Sequence, residues 1–380
     1  VELRIADDLK QIPATTWDSL VGTDQPFLQH GFLEGLEAHG CLGAERGWHP
    51  AHLLLHEGET LVAAAPAYLK TNSIGEFVFD WGWADAYARM GRRYYPKLVV
   101  AVPYTPIVGP RVLVREADFA AEATRLLAHG AQQFCEEQGF SSAHWLFPPA
   151  ESLASIQAAG GYVSRLGCQY HWMNAGYADF DDFLARLSAD KRKKIKRERR
   201  RVRDAGIHLE VRHGSELRAA DWDRIYQFYL NTYDRKWGIP GLTAEFFPAL
   251  GERLGDAAVA VFAKEGEQTV AMALNLRDNV GLYGRYWGCQ AQYHSLHFET
   301  CYYAGIEYAI EAGLERFEPG AQGEHKISRG FLPSRTYSAH WIKDADFREA
   351  VTDFCRREEN AMEAQCEGLA AHSPFKASAP

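Results

Sequence analysis

The densest gathering of chemically able side chains in this 380-residue chain is segment 316–331, Arg-Phe-Glu-Pro-Gly-Ala-Gln-Gly-Glu-His-Lys-Ile-Ser-Arg-Gly-Phe. Lys326 and Arg329, three residues apart, can hold a phosphate or a developing oxyanion, while Glu318, Glu324 or His325 can take a proton from an attacking amine. Gly320 and Gly323 let backbone N–H groups approach an anion closely, and Arg329 and Gln322 are the expected substrate contacts. The alternative is a mixed-charge turn whose lysine and arginine merely pair with Glu318 and Glu324.

Four further constellations follow. Segment 281–291, Gly-Leu-Tyr-Gly-Arg-Tyr-Trp-Gly-Cys-Gln-Ala, ends a predicted strand and offers Arg285 and Tyr286 as substrate contacts. The aromatic stretch 77–110 reads either as a groove for a sugar or peptide, with Asp80 and Trp81 on its wall, or as a packing surface. Residues 191–203 hold ten of the 41 basic residues and one of the 50 acidic ones, so the rest of the chain carries −18 against a total of −9. Lys191, Arg192 and Lys194 there are the expected contacts to RNA or phosphate, unless the run is simply a solvated face. Arg235 and Lys236 close an aromatic helix, as anion contacts or as cations that suit its dipole. His294 and His297 lack an adjacent third ligand, so no metal is expected.

Several classes fall away. No Gly-x-x-x-x-Gly-Lys-Ser/Thr, Gly-x-Gly-x-x-Gly, Gly-x-Ser-x-Gly or His-Glu-x-x-His occurs, which argues against a P-loop kinase, a nicotinamide enzyme, a serine hydrolase and a zinc protease. Seven scattered cysteines with no Cys-x-x-Cys pair point to reduced thiols and a cytoplasmic location. No apolar run of about 18 residues appears, so no integral membrane association is expected.

The elements that must position these residues come as a weak internal repeat. Hairpin turns are predicted at Glu57-Gly58-Glu59 and Glu265-Gly266-Glu267. After each comes a helix that stops at glycine and runs into a strand: Ala131–Gln138, Gly139 and Ala143–Phe147, then Tyr302–Ala312, Gly313 and Arg316–Glu318. Two copies of one α/β domain follow. The expected division is 1–175 with an aromatic insertion at 77–110, 176–345 opening with a basic helix, and 346–380 as a C-terminal helix and frayed tail. An aromatic helix is predicted over Asp221–Tyr233.

Taken together, Lys191–Gly206, the hairpin and Gly-rich strand to Gly288, Glu318–Pro333 and Phe77–Pro110 resemble the FemAB-like peptidoglycan biosynthesis or recognition proteins of bacteria. The resemblance implies an α/β (α+β) fold of tandem GNAT-like acyltransferase domains, with mixed sheets flanked by helices. It implies amide-forming transfer to an amine, on a small-molecule or peptide acceptor such as a peptidoglycan-precursor peptide. No cofactor would be tightly bound, and the donor would be aminoacyl-tRNA or acyl-CoA, with tRNA as a partner. Lys326 matches the lysine of the Fem motif Phe-Lys-x-x-Phe/Gly, with His325 where phenylalanine is usual. Arg285-Tyr-Trp-Gly288-Cys-Gln290 partly resembles the GNAT pyrophosphate loop, with Gln290 where a small residue is usual. An acyl-CoA-dependent N-acyltransferase and a non-catalytic precursor- or nucleic-acid-binding protein are the alternatives.

Overall fold

The computed structural model describes residues 1–21, 25–236, 239–291 and 293–376. Its first strands are β1 (Glu2–Ala6), β2 (Trp48–Pro50), β3 (His52–Glu57), β4 (Thr60–Ala65), β5 (Ala67–Lys70), β6 (Lys97–Val100), β7 (Leu113–Val114) and β8 (Ser142–Leu146). They are followed by β9 (Val163–Met173), β10 (Ile207–His213), β11 (Ala258–Glu265), β12 (Gln268–Arg277), β13 (Gly281–Cys289), β14 (Arg316–Glu318) and β15 (Leu332–Ile342). The chain divides into two compact units: Val1–Cys168 with Arg335–Gln365, and Gln169–Ser334 with Cys366–Pro380.

Both hairpins form where the glycines stand. Glu57 pairs with Thr60 and Glu265 with Gln268, leaving two-residue turns that begin at Gly58 (φ 60°) and Gly266 (φ 58°). Only glycine takes that first turn position without Cβ strain. Each ladder also shifts register just before the turn, at Leu55/His56 and at Ala263/Lys264. The helix stops are built alike. Gly139 (φ 75°) caps Ala120–Gln138, and Gly313 (φ 66°) follows Ala304–Glu311. These positive-φ glycines let the chain leave the helix and enter β8 and β14.

In the first unit β3 pairs with β1 and β4, all antiparallel, while β8 runs parallel to β6 and antiparallel to β15. Its core gathers Leu53, Leu98, Leu127, Trp145 and Trp341, all buried. In the second unit β10, β11, β12 and β13 form an antiparallel meander, and β14 lies parallel to β13 and antiparallel to β9. Its core gathers Trp172, Phe183, Ile195, Tyr303 and Phe317.

The division differs from the expected one at its C-terminal end. Segment 335–365 belongs with the first unit, because β15 pairs with β8 and because Phe347, Val351 and Cys355 pack with Trp83, Tyr87 and Tyr94. Nor is 373–376 frayed: Leu187 bridges Phe375, and Lys376 N–H donates to the Arg186 carbonyl. Residues 377–380 lie outside the described residues.

The predicted aromatic helix spans Ala219–Lys236 and lies on β13. Its contact with the strand is made at glycine. A Cβ on Gly288 would stand 1.9 Å from the Phe228 carbonyl oxygen, so backbone meets backbone there. Gly288→Ala must push the helix away, and we expect it to lower stability by about 1–3 kcal/mol, read from the urea midpoint. A wild-type midpoint would show that the contact yields freely.

Candidate functional site

In the second unit β14 ends at Glu318, and the chain then turns through Gly320 (φ 105°) and Gly323 (φ 116°) into a 3-10 helix, Glu324–Arg329, closed by Gly330 (φ 100°). These φ values favour glycine, and a Cβ on Gly330 would also meet the Phe183 ring at 2.8 Å. The helix hides Lys326 and Arg329, each 2% exposed, and leaves Glu324 and His325 outward.

Lys326 Nζ donates to the Gly320 carbonyl at 2.6 Å. Among the described residues no carboxylate lies within ion-pair distance of it. Burial therefore pushes its ammonium down to about 8. Close by lies His171 of β9, pushed down to about 3 by burial and by the charges of Arg316 and Lys326. His171 Nε2 stands 3.7 Å from a Glu318 carboxylate oxygen, and the other oxygen of Glu318 accepts from Arg316 Nε at 3.1 Å. His325 Nε2 meets the Tyr302 hydroxyl at 3.0 Å. Burial and the charges of Arg329, Lys326 and Lys194 lower its pKa, so the imidazole is neutral at pH 7.

Arg329 is engaged on every side. Its guanidinium donates to Glu198 Oε1 at 2.8 Å, to the Tyr303 hydroxyl at 3.0 Å and to the His325 carbonyl at 2.7 Å, and it stacks 3.4 Å from the Phe298 ring centre. The expected substrate contact is thus committed to holding the turn. Glu198, the single acid of the basic run, lies on the inward face of helix Ala189–Asp204 with Ile195 and Val202. The Tyr303 hydroxyl donates to its second oxygen. Tyr302 and Tyr303 are consecutive yet both buried, because residues Glu299–Tyr303 form a π turn that shifts the helical register.

The remaining expected contacts scatter. Gln322 is exposed in the turn, and Lys194 reaches it, Nζ to Ser328 Oγ at 3.3 Å. Lys191 and Arg192 are half-buried one turn earlier on the basic helix. Arg285 and Tyr286 sit in β13, one and two residues past Gly284, whose Cβ position would lie 3.2 Å from the Pro319 backbone. Tyr286 packs on Tyr229 and Phe247. The segment resembling a pyrophosphate loop is strand instead: Gly288 receives the aromatic helix, and the Gln290 N–H donates to the Val270 carbonyl. Arg235 and Lys236 end that helix, and their side chains lie outside the described residues.

Asp80 and Trp81 belong to the first unit. Asp80 is not on a groove wall: it is 3% exposed and bound to Lys97 Nζ, with Ser73 Oγ at 2.5 Å and the Tyr94 hydroxyl at 2.6 Å. Trp81 is 53% exposed. Lys97 also donates to Glu76 at 2.8 Å, and these two carboxylates outweigh burial and raise its pKa. The aromatic stretch therefore divides, with Trp83, Tyr87 and Tyr94 in the core and Phe77, Phe79 and Trp81 outside.

Sequence reasoning missed His171, Tyr302, Tyr303 and the role of Glu198. Only Glu198 left a signal, as a lone acid among ten bases. No group of three His, Cys, Asp or Glu among the described residues is arranged to hold a metal, and no helix there is long and apolar enough to cross a membrane.

The FemAB-like family, described as peptidoglycan biosynthesis/recognition, matches residues 8–377. This chain belongs to that family. No curated protein matches it. Among solved structures, the C-terminal domain of a putative lysylphosphatidylglycerol synthetase from Agrobacterium fabrum has TM-score 0.55 at 11% identity, over 91% of this chain and 94% of that one. FemX has TM-score 0.54 at 11% identity, over 93% and 100%. L-PGS from Bacillus licheniformis has TM-score 0.50 at 14% identity, over 87% and 95%. At such identities the likeness is one of fold. This FemAB-like chain has two α/β units, with mixed sheets flanked by helices.

The buried lysine of the first unit generates a stability test. Lys97→Ala leaves Asp80 and Glu76 without their cation in the interior, and we expect a loss of about 3–5 kcal/mol in chemical denaturation. A loss below about 1 kcal/mol would mean that the carboxylates find water or protons instead.

Proposed function

We propose that this FemAB-like chain forms an amide bond, moving an acyl or aminoacyl group from an activated ester onto an amine of a peptidoglycan-precursor peptide. The observation that carries this reading is Lys326, an ammonium withdrawn from water with a peptide carbonyl for its partner. Such a group is a strong donor to an oxygen that gains charge during reaction. Acyl transfer to an amine creates that oxygen, and the family's description supplies the acceptor class.

The step runs as follows. His325, neutral and outward, takes a proton from the acceptor ammonium. The freed nitrogen attacks the ester carbonyl carbon, and Lys326 donates to the carbonyl oxygen as it becomes an oxyanion. The adduct collapses with cleavage of the carbon–oxygen bond, the leaving alkoxide takes the first proton back from His325, and the freed imidazole then passes the nitrogen's second proton to solvent, leaving a neutral amide. Glu318, held by Arg316 beside His171, forms the buried flank, and exposed Glu324 is a second proton acceptor.

An RNA ester is the donor the site favours. Lys193, Lys196, Arg197 and Arg200 are exposed on the basic helix, which reaches the turn through Lys194, with Lys191 and Arg192 beside it. That charge suits a phosphate backbone. An acyl-CoA donor needs backbone amides free to meet a pyrophosphate, whereas the Gln290 amide and the space at Gly288 are already used. All seven cysteines are free thiols, which suits the reducing cytoplasm.

Lys326→Ala should retain the fold and lose about 100- to 1,000-fold in kcat with an aminoacyl-tRNA donor. Because the lysine acts protonated and burial has brought it down to about 8, kcat should fall as pH rises through 8. A rate that climbs through pH 8 would make Lys326 the base and sink the assigned role. Turnover with acyl-CoA in place of charged tRNA would reject the donor.

A further inference from the structure

Arg329 and Lys326 leave the same short helix, but they answer different needs. Lys326 Nζ closes the turn on one side by holding the Gly320 carbonyl. Arg329 closes it on the other by holding the carbonyl of His325, the residue just before Lys326. The guanidinium is only 2% exposed, and a buried cation stays inside only with a countercharge. That countercharge comes from 131 residues earlier in the chain, the Glu198 carboxylate at 2.8 Å, 6% exposed itself. The Tyr303 hydroxyl ties the arrangement together, accepting from Arg329 Nε and donating to Glu198. The neighbouring cation on the basic helix, half-buried Arg199, is engaged elsewhere, pairing with Glu299 at 2.9 Å and Glu307 at 2.8 Å.

We propose that Glu198 is the positioning residue of the site: from the inner face of the basic helix it holds Arg329 and Tyr303, and through Arg329 it fixes the turn that presents His325 and buries Lys326. Glu198 touches no substrate. Without its charge the guanidinium leaves the interior for water, the His325 carbonyl loses its donor, and the turn opens around Lys326. His171, Cys301 and His325 remain beside the lysine, while Arg329 withdraws; what changes is the lysine's access to water and the distance of the Arg329 charge, both in the same direction. The inference rests on the transferase reading for its kinetic arm alone.

The test uses the full-length protein and the variants Glu198→Gln and Glu198→Asp. Acylation of Lys326 by dilute acetic anhydride, followed across pH by peptide mass spectrometry, reports whether the amine is buried without requiring enzymatic turnover. The wild-type labelling midpoint should lie near 8. In Glu198→Gln it should rise by at least about one unit toward the free-lysine value of ~10.4, while exposed lysines keep theirs. Amide formation should lose about ten-fold or more in kcat, the scale of a misplaced catalytic group, with KM for the acceptor unchanged. Glu198→Asp should recover part of both.

A merely structural Glu198 would lower the melting temperature and leave the Lys326 labelling profile as in wild type, and that result overturns the proposal. A shifted labelling profile in a protein with no transfer on any donor would uphold Glu198 and reject the transferase reading. Should Glu198→Gln fail to fold, the double variant Glu198→Gln/Arg329→Met leaves no unpaired charge inside and still removes the donor to the His325 carbonyl. It must then shift the midpoint in the same direction, and an unshifted midpoint overturns the proposal.

Discussion

An ammonium group taken out of water without a carboxylate to meet it is the constraint around which the second unit is arranged. Desolvation disfavours the charged lysine, so the turn that hides Lys326 must be held by more than the lysine's own bond to the Gly320 carbonyl. Three devices do that. Glycines at 320, 323 and 330 take φ values near 100–116°, which bend the chain sharply after β14. Arg329, neutralised by Glu198, binds the turn's own backbone. The π turn aims two successive tyrosines inward, one at His325 and one at the Arg329–Glu198 pair. Each device is itself costly, through restricted backbone, buried charge or interrupted helix. Such costs are concentrated at functional sites.

The first unit uses the same residue type to the opposite end. Lys97 is as deeply buried as Lys326, yet Asp80 and Glu76 surround it and raise its pKa, so its proton is not available near neutral pH. Lys326 lacks such partners and is brought down to about 8. A buried cation that is fully paired stabilises a particular packing; one left with a carbonyl retains the capacity to serve an incoming charge. Burial alone therefore does not separate a fully paired lysine from one that meets only a carbonyl. The difference lies in what surrounds the nitrogen.

What could be read in advance was local. The two hairpin glycines, the two helix-stopping glycines and the strand-end segment 316–331 all declare themselves within a few residues, because turn geometry and glycine conformation are local physics. Pairings across long stretches were not legible. Asp80 looked like a ligand acceptor because its cation lies 17 residues on, beyond a helix, and Arg329 looked free because its carboxylate lies 131 residues back. The return of β15 to pair with β8 was equally invisible, since the strand's sequence does not say which of two sheets it will join. His171 carried no pattern at all: a single histidine in a strand becomes notable only once β14 and the turn are folded beside it.

Gly288 shows how one residue type can answer two physical needs that look identical in sequence. A glycine at the end of a strand, followed by a helix, is what a backbone needs to approach a pyrophosphate, and equally what a helix needs to approach a strand. Here the Phe228 carbonyl occupies the place where a Cβ would be, 1.9 Å away, and the neighbouring Gln290 amide is spent on β12. Both groups that a phosphate would require are therefore consumed by packing. A donor that brings its phosphates to this unit must find cations elsewhere, and the exposed bases of helix Ala189–Asp204 are where the chain has them. The inner face of that same helix carries Glu198. On the proposed reading, the element best suited to meet a polyanion is thus also the element that carries Glu198, so that donor engagement and site geometry would share one rigid support.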